Sequence, residues 1–134
     1  DLLYNYGINL GLAFQLRDDY LDAFGDPKEF GKQIGGDIKC NKKTYLLLTA
    51  LERSEGATAE NLRNWINAND VNDEKAKIQA VLDIYRETEA DKRCEEAIQD
   101  FFEKSVVCAK SLQLPEYKKD ILINLAYHLM GRKK

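Results

Sequence analysis

Residues 14–22 read Phe-Gln-Leu-Arg-Asp-Asp-Tyr-Leu-Asp, three carboxylates within five positions of an otherwise apolar run. A helix advances about 100° and about 1.5 Å per residue. Gln15, Asp18, Asp19 and Asp22 then recur at i, i+3, i+4 and i+7 and share one stripe. That stripe is about 10 Å long, enough to face a diphosphate with its metal ions. Aspartate is a mediocre residue for a helix interior, and like charges four residues apart repel. A helix that carries both costs points to a bound cation. Hard oxygen donors on a rigid helix suit Mg²⁺, which takes one or two carboxylates together with phosphate oxygens and retained water. The same nine residues also fit a solvated acidic stripe at the edge of a bundle.

A second group with chemical potential follows. The segment 31–43 holds Gly31, Gly35 and Gly36 beside Lys32, Lys39, Lys42 and Lys43. Glycine lets backbone N–H groups approach an anion closely, and lysine is a strong point-charge partner for phosphate. The segment is not a P-loop, because GxxxxGK[ST] is absent. Basic glycine-rich loops are common, so its composition alone defines no phosphate site. Its position says more: it begins nine residues after Asp22, close enough to fold over the end of the same helix. Carboxylates, a glutamine amide and lysines converging there would suit a metal-bridged diphosphate.

These groups need a scaffold, and the apolar pattern describes one. Leu2, Leu3, Ile8, Leu10, Leu12, Ala13, Phe14, Leu16, Tyr20, Leu21 and Phe24 cover most of a helix circumference, as on a helix buried in a larger bundle. Carboxylates on such a helix must be paired, protonated or metal-bound. The first helix is predicted over 2–24, stopped by Gly25-Asp26-Pro27, with a glycine and lysine loop over 25–41. Helices then occupy 42–131. One begins near Lys42 and carries Tyr45, Leu46, Leu48, Thr49 and Leu51; a short one runs from Ala59 to Asn67 and buries Leu62, Trp65 and Ile66. Ile78, Val81, Leu82 and Tyr85 mark the next, and Ala97, Ile98, Phe101, Val106 and Ala109 another, ending before Pro115. The last packs Ile121, Leu122, Leu125 and Leu129 and stops at Gly131. About six helices and no strand ladder predict one all-α domain, or part of one, over residues 1–134.

Composition excludes several classes. The 134 residues are 44% hydrophobic with net charge −3, which supports a packed core and argues against a general nucleic-acid binder. No run approaches the length of a transmembrane helix. Cys40, Cys94 and Cys108 lack metal-ligand spacing, and their odd number gives no closed disulfide framework, which fits a reducing cytoplasm. The single histidine, His128, reads as structural, so a Ser-His-Asp or Cys-His mechanism has little support. Glu96 and Asp100 read as solvated surface. The chain begins Asp-Leu-Leu-Tyr, already inside a helical pattern, and reads as part of a longer protein.

The run Phe14 to Asp22 resembles the second aspartate-rich motif of the trans-isoprenyl diphosphate synthases, the polyprenyl synthetase family. Gly25-Asp26-Pro27, Gly31-Lys32, Gly36-Asp37 and Asn41-Lys42-Lys43-Thr44-Tyr45 follow in that family's order and at about its spacing. The resemblance is strongest over residues 7–48 and implies the C-terminal part of an isoprenoid-synthase-type helical bundle. It implies a prenyltransferase of isoprenoid biosynthesis. Mg²⁺ ions would bridge two aspartate-rich helices to an allylic diphosphate, and its ionisation would give a carbocation to which isopentenyl diphosphate adds. Carried over by residue, Asp18 would be the principal metal ligand, with Asp19 and Asp22 acting through water or one shell further out. Gln15, Lys32 and Lys42 would hold the allylic diphosphate, and Asp37 would support the metal waters. Thr44 is the weaker candidate, since a hydroxyl at a helix start is as often a cap. The basic end, Arg132 to Lys134, resembles the family's site-closing C-terminus, though it also fits an exposed tail. A cytoplasmic homodimer with a farnesyl or geranylgeranyl product completes the expectation.

The departure from the family is an absence. No second DDxxD occurs in these 134 residues, so they hold one half of a metal clamp and are expected to be inactive alone. Two other readings stand beside the prenyltransferase: a non-catalytic subunit of a heteromeric synthase, and an all-α interaction module whose acidic stripe is incidental. The apolar first helix is also expected to leave surface that drives self-association.

Overall fold

The computed structural model describes residues 1–26, 34–68 and 73–132. Among them it forms seven helices and no strand, as the helical periodicity requires: α1 Leu2–Phe24, α2 Gly36–Lys39, α3 Tyr45–Arg53, α4 Gly56–Asn67, α5 Glu74–Glu87, α6 Ala90–Lys110 and α7 Glu116–Leu129. The helix beyond the six expected is α2, a single turn inside the segment read as loop. The termini follow local chemistry. Thr44 accepts the Leu47 N–H at 3.2 Å and caps α3, so α3 begins at Tyr45 rather than near Lys42. Asp73 accepts the Ala76 N–H at 3.1 Å and caps α5. At the end of α7, Gly131 takes φ +64° and the Arg132 N–H returns to the Tyr127 carbonyl at 2.8 Å.

The chain divides into two compact units. The first contains residues 1–17 and 96–134. Its core is Tyr6, Leu10 and Ala13 of α1, Ile98, Phe102, Val106 and Ala109 of α6, and Ile123, Ala126 and Met130 at the end of the chain. The Tyr6 hydroxyl donates to the Leu122 carbonyl at 2.8 Å. Phe102 meets Tyr127 edge to face at 5.1 Å, and the Arg132 guanidinium lies 4.7 Å above the Phe102 ring while also bonding Gln99.

The second unit, residues 18–95, is built on α5, against which α2, α3 and α4 each pack. Val81, Leu82, Ile84 and Tyr85 of α5 meet Ile38, Leu46, Leu47, Ala50 and Leu62 in its core. Phe24, at the end of α1, is set by two rings and a cation: Tyr20 at 5.1 Å, Tyr85 at 6.4 Å and the Arg86 guanidinium at 5.3 Å.

Helix phase differs from expectation in two places. On α7 the buried residues are Ile123 and Ala126, followed by Met130, whereas Ile121 and Leu125 are 62% and 44% exposed. On α3, Leu47 and Ala50 turn inward beside Leu46, while Leu48 and Leu51 face solvent. Both segments have apolar residues on two faces, so periodicity allows either phase. Leu2, Leu3, Tyr4, Ile8, Leu12 and Phe14 of α1 are exposed, the apolar surface expected of that helix.

Candidate functional site

Helix α1 delivers the carboxylates in different environments. Asp18 is exposed, Asp19 is 7% exposed and Asp22 is half-buried. Gln15 lies one turn earlier on the same helix, exposed. The site is completed by the segment after the undescribed residues 27–33. Lys32 falls among those and lies outside the described residues.

Two backbone contacts dock that segment onto α1. The Gly35 N–H donates to the Asp22 carbonyl at 2.7 Å, and the Asp37 N–H donates to the Asp22 carboxylate at 2.8 Å. Gly35 begins α2 with no side chain to cap it, so Asp22 supplies the oxygen from another helix. Glycine is required at 35: φ is +92°, and a Cβ would lie 2.7 Å from Ile78 Cγ2.

Lys42 joins the two elements. Its ammonium stands 3.4 Å from Asp19 Oδ1 and 3.9 Å from Asp37 Oδ1, with its own side chain half exposed. The Lys42 N–H donates to the Asp37 carbonyl at 2.9 Å, which sets its position. Burial raises the Asp37 carboxyl above its ordinary value, and Asp22, Asp19 and Asp18 push the same way while Lys42 opposes them. Asp19 and Asp37 in turn hold the Lys42 ammonium above its usual range, keeping it charged.

Beneath this cluster lies a polar support. Asn41 adopts φ +56°, a left-handed conformation that asparagine tolerates. Its Oδ1 accepts from the Lys77 ammonium at 2.7 Å and its Nδ2 donates to the Ile66 carbonyl at 3.0 Å. Thr44 is buried and caps α3, and the nearby Tyr85 phenol is pushed up mainly by burial. A cavity of about 10 Å³ lies under the turn among Asp37, Asn41, Lys42 and Tyr85. It has room for about one water, so any larger ligand must bind on the open face of the carboxylates.

The donor set fits Mg²⁺ of a particular kind. Among the described residues no three carboxylate, histidine or cysteine side chains converge to cage an ion alone. Burial raises the Asp37 carboxyl first, and crowding by the nearby Asp22, Asp19 and Asp18 carboxylates adds to it, with Lys42 as the counter-charge. A small divalent cation that takes one or two of these oxygens and fills its shell with water and phosphate would relieve that crowding.

Of the residues singled out from sequence, Asp19, Asp22, Asp37 and Lys42 come together, Asp18 contributes to the same field, and Lys32 is outside the described residues. Arg132 is engaged with Gln99 and Phe102 in the first unit, and Lys133 and Lys134 are outside the described residues. Sequence reasoning missed Lys77 and gave Asn41 no role. Lys77 carries no signal, because a lysine in a polar helical stretch reads as surface. No described helix is long and apolar enough to cross a membrane.

Comparison with known proteins gives consistent matches. The polyprenyl synthetase family profile matches residues 1–85. A prenyl transferase of Cyanidium caldarium is 33% identical over 131 residues, 98% of this chain and 38% of that protein. A crystal structure of a geranylgeranyl pyrophosphate synthase superposes with TM-score 0.88 and 41% identity, covering 99% of this chain and 41% of its own. The geranylgeranyl pyrophosphate synthase of Corynebacterium glutamicum, complexed with isoprenyl diphosphate and magnesium, superposes with TM-score 0.84 and 32% identity over 99% of this chain and 37% of its own. The chain thus spans about two fifths of the length of these relatives.

Proposed function

Since this chain belongs to the polyprenyl synthetase family, we propose that it supplies one diphosphate-holding half of an isoprenyl diphosphate synthase. The observation that carries this is Lys42, which stands between Asp19 of α1 and Asp37 of α2 and so gathers carboxylates and a cation into one cluster. The whole protein condenses an allylic diphosphate with isopentenyl diphosphate. The allylic C–O bond breaks, pyrophosphate leaves, the isopentenyl double bond attacks the allylic carbon, and a proton is lost.

In this reading Asp18 and Asp19 would present oxygens to Mg²⁺, with Asp18 the more accessible. Bound Mg²⁺ would neutralise and polarise the departing diphosphate. Lys42, kept protonated by its two carboxylate neighbours, directs a positive charge at the phosphate oxygens. Asp22 orients α2 through the Asp37 N–H, and the Asp37 carboxylate would accept from water held by a bound metal. Gln15 and Lys32 complete the hold on the allylic diphosphate. The opposing aspartate-rich helix lies outside this chain, so the 134 residues alone catalyse no condensation. The whole protein acts as a homodimer in the cytoplasm.

The test is a Mg²⁺ titration of the full-length protein with a non-hydrolysable allylic diphosphate analogue. Binding should require the metal, and Asp18→Ala and Lys42→Met should each weaken it about tenfold or more, the worth of a charge-assisted contact. Metal-independent binding, or wild-type affinity in both variants, would sink the reading. Metal-coupled binding without prenyl transfer would instead identify a non-catalytic subunit.

A further inference from the structure

Lys77 is the least expected side chain in the second unit. It lies on α5 at 4% exposure, and among the described residues no carboxylate forms an ion pair with it. Burying an ammonium against a neutral partner is costly, and an apolar side chain of similar size there would avoid that cost. Its contact is specific: Nζ donates to Asn41 Oδ1 at 2.7 Å. Asn41 in turn donates to the Ile66 carbonyl at the end of α4, so one amide ties α4 and α5 to the turn that precedes Lys42. That turn is left-handed at Asn41, and small changes in φ there would swing the Lys42 backbone.

We propose that Lys77 and Asn41 form a buried strut that holds the 38–42 turn and thereby positions the Lys42 ammonium over Asp19 and Asp37. Both are positioning residues acting through Lys42. A long, flexible, half-exposed lysine has little intrinsic reason to stay in one place. Fixing its backbone from below leaves the ammonium with fewer places to go, and therefore ready for a diphosphate before one arrives. Among the described residues neither strut side chain hydrogen-bonds or pairs with the carboxylates, so its effect on ligand affinity passes through the turn. The proposal rests on the reading of Lys42 as a diphosphate contact, and its test separates the two.

The experiment uses the full-length protein with Lys77→Met, Asn41→Gly and Asn41→Asp, each in the parent and in a Lys42→Ala background. Asn41→Gly keeps the left-handed backbone while removing the amide, so it stands should Lys77→Met fail to fold. Asn41→Asp preserves an acceptor for Lys77. Calorimetry measures inorganic pyrophosphate binding in the presence of Mg²⁺, and limited trypsin digestion without ligand reads cleavage after Lys42. Lys77→Met and Asn41→Gly should weaken pyrophosphate binding about tenfold, as loss of a hydrogen bond to a charged group would. In the Lys42→Ala background the same changes should move affinity less than about twofold, since coupled residues are non-additive. Asn41→Asp should stay within about threefold of the parent. Cleavage after Lys42 should accelerate in Lys77→Met and Asn41→Gly alone. Equal losses with and without Lys42, or unchanged affinity and unchanged digestion, would overturn the strut. Absence of pyrophosphate binding in the wild type would overturn the diphosphate reading instead, with digestion still deciding whether the strut holds the turn.

Discussion

Replacing Asp22 separates its two possible uses. Its carboxylate accepts the Asp37 N–H at 2.8 Å and caps α2, whose N-cap residue Gly35 offers no oxygen. Asp22→Ala leaves that N–H to water at a half-buried site, so it should cost about 1–2 kcal/mol, the range of a lost cap or charge-assisted bond. Unfolding entropy of about 2.1 cal/mol/K per residue, applied to 134 residues, converts this to a fall in Tm of about 4–7 °C. Asp22→Asn keeps an acceptor oxygen and removes the repulsion that raises the Asp37 carboxyl. It should therefore cost under about 0.5 kcal/mol, or less than about 2 °C by the same scaling. Thermal unfolding of wild type and both variants, side by side, measures the difference. A wild-type Tm for Asp22→Ala would refute the cap. An equal fall in both variants would show that the charge matters rather than the acceptor. Asp22→Asn also reports on the metal: if Asp22 only orients α2, Mg²⁺-dependent diphosphate binding should survive in it.

Leu62 is fully buried, and Leu62→Ala should lose about 2–5 kcal/mol in chemical denaturation. Leu48→Ala, at a half-exposed site, should stay within about 0.5 kcal/mol of wild type. Iodoacetamide should label exposed Cys40 in the folded protein but spare Cys94, which is buried and whose thiol is pushed up to about 12; mass spectrometry of the peptides reads this directly. Gly35→Ala should cost about 1–3 kcal/mol because it combines positive φ with a clash on Ile78; adding Ile78→Ala should recover only part, since the backbone strain remains. Exposed Leu3, Tyr4, Ile8 and Phe14 should make the isolated 134 residues self-associate, and a monodisperse monomer in light scattering would contradict that.

Helix α1, its end at Phe24 and the stripe of Asp18, Asp19 and Asp22 were all legible in the sequence. These depend on residues within two turns of one another, and backbone geometry alone puts positions three and four apart on one face. The capping role of Thr44 was legible for the same reason. The inward faces of α3 and α7 were not. With apolar residues on two sides, as at Leu46 to Leu48 or Ile121 to Ile123, only the neighbouring helix decides which side is covered. Lys77 was invisible because burial of a lysine is set by what packs around it.

The sequence by itself thus determined an all-α chain with a cation-seeking carboxylate stripe and a basic glycine segment close enough to meet it. Residue spacing left the stripe as equivalent aspartates, and only the family resemblance set Asp18 apart. Tertiary structure decided their division: Asp19 meets Lys42, Asp22 meets a backbone N–H of α2, and Asp18 stays exposed. Those pairings join residues 15 and 23 positions apart, and Lys77 and Asn41 lie 36 apart. No local periodicity reaches that far. They exist because α2, α3 and α4 pack on α5, and that packing is set by the burial of Ile38, Leu46, Leu62 and Val81 rather than by any motif.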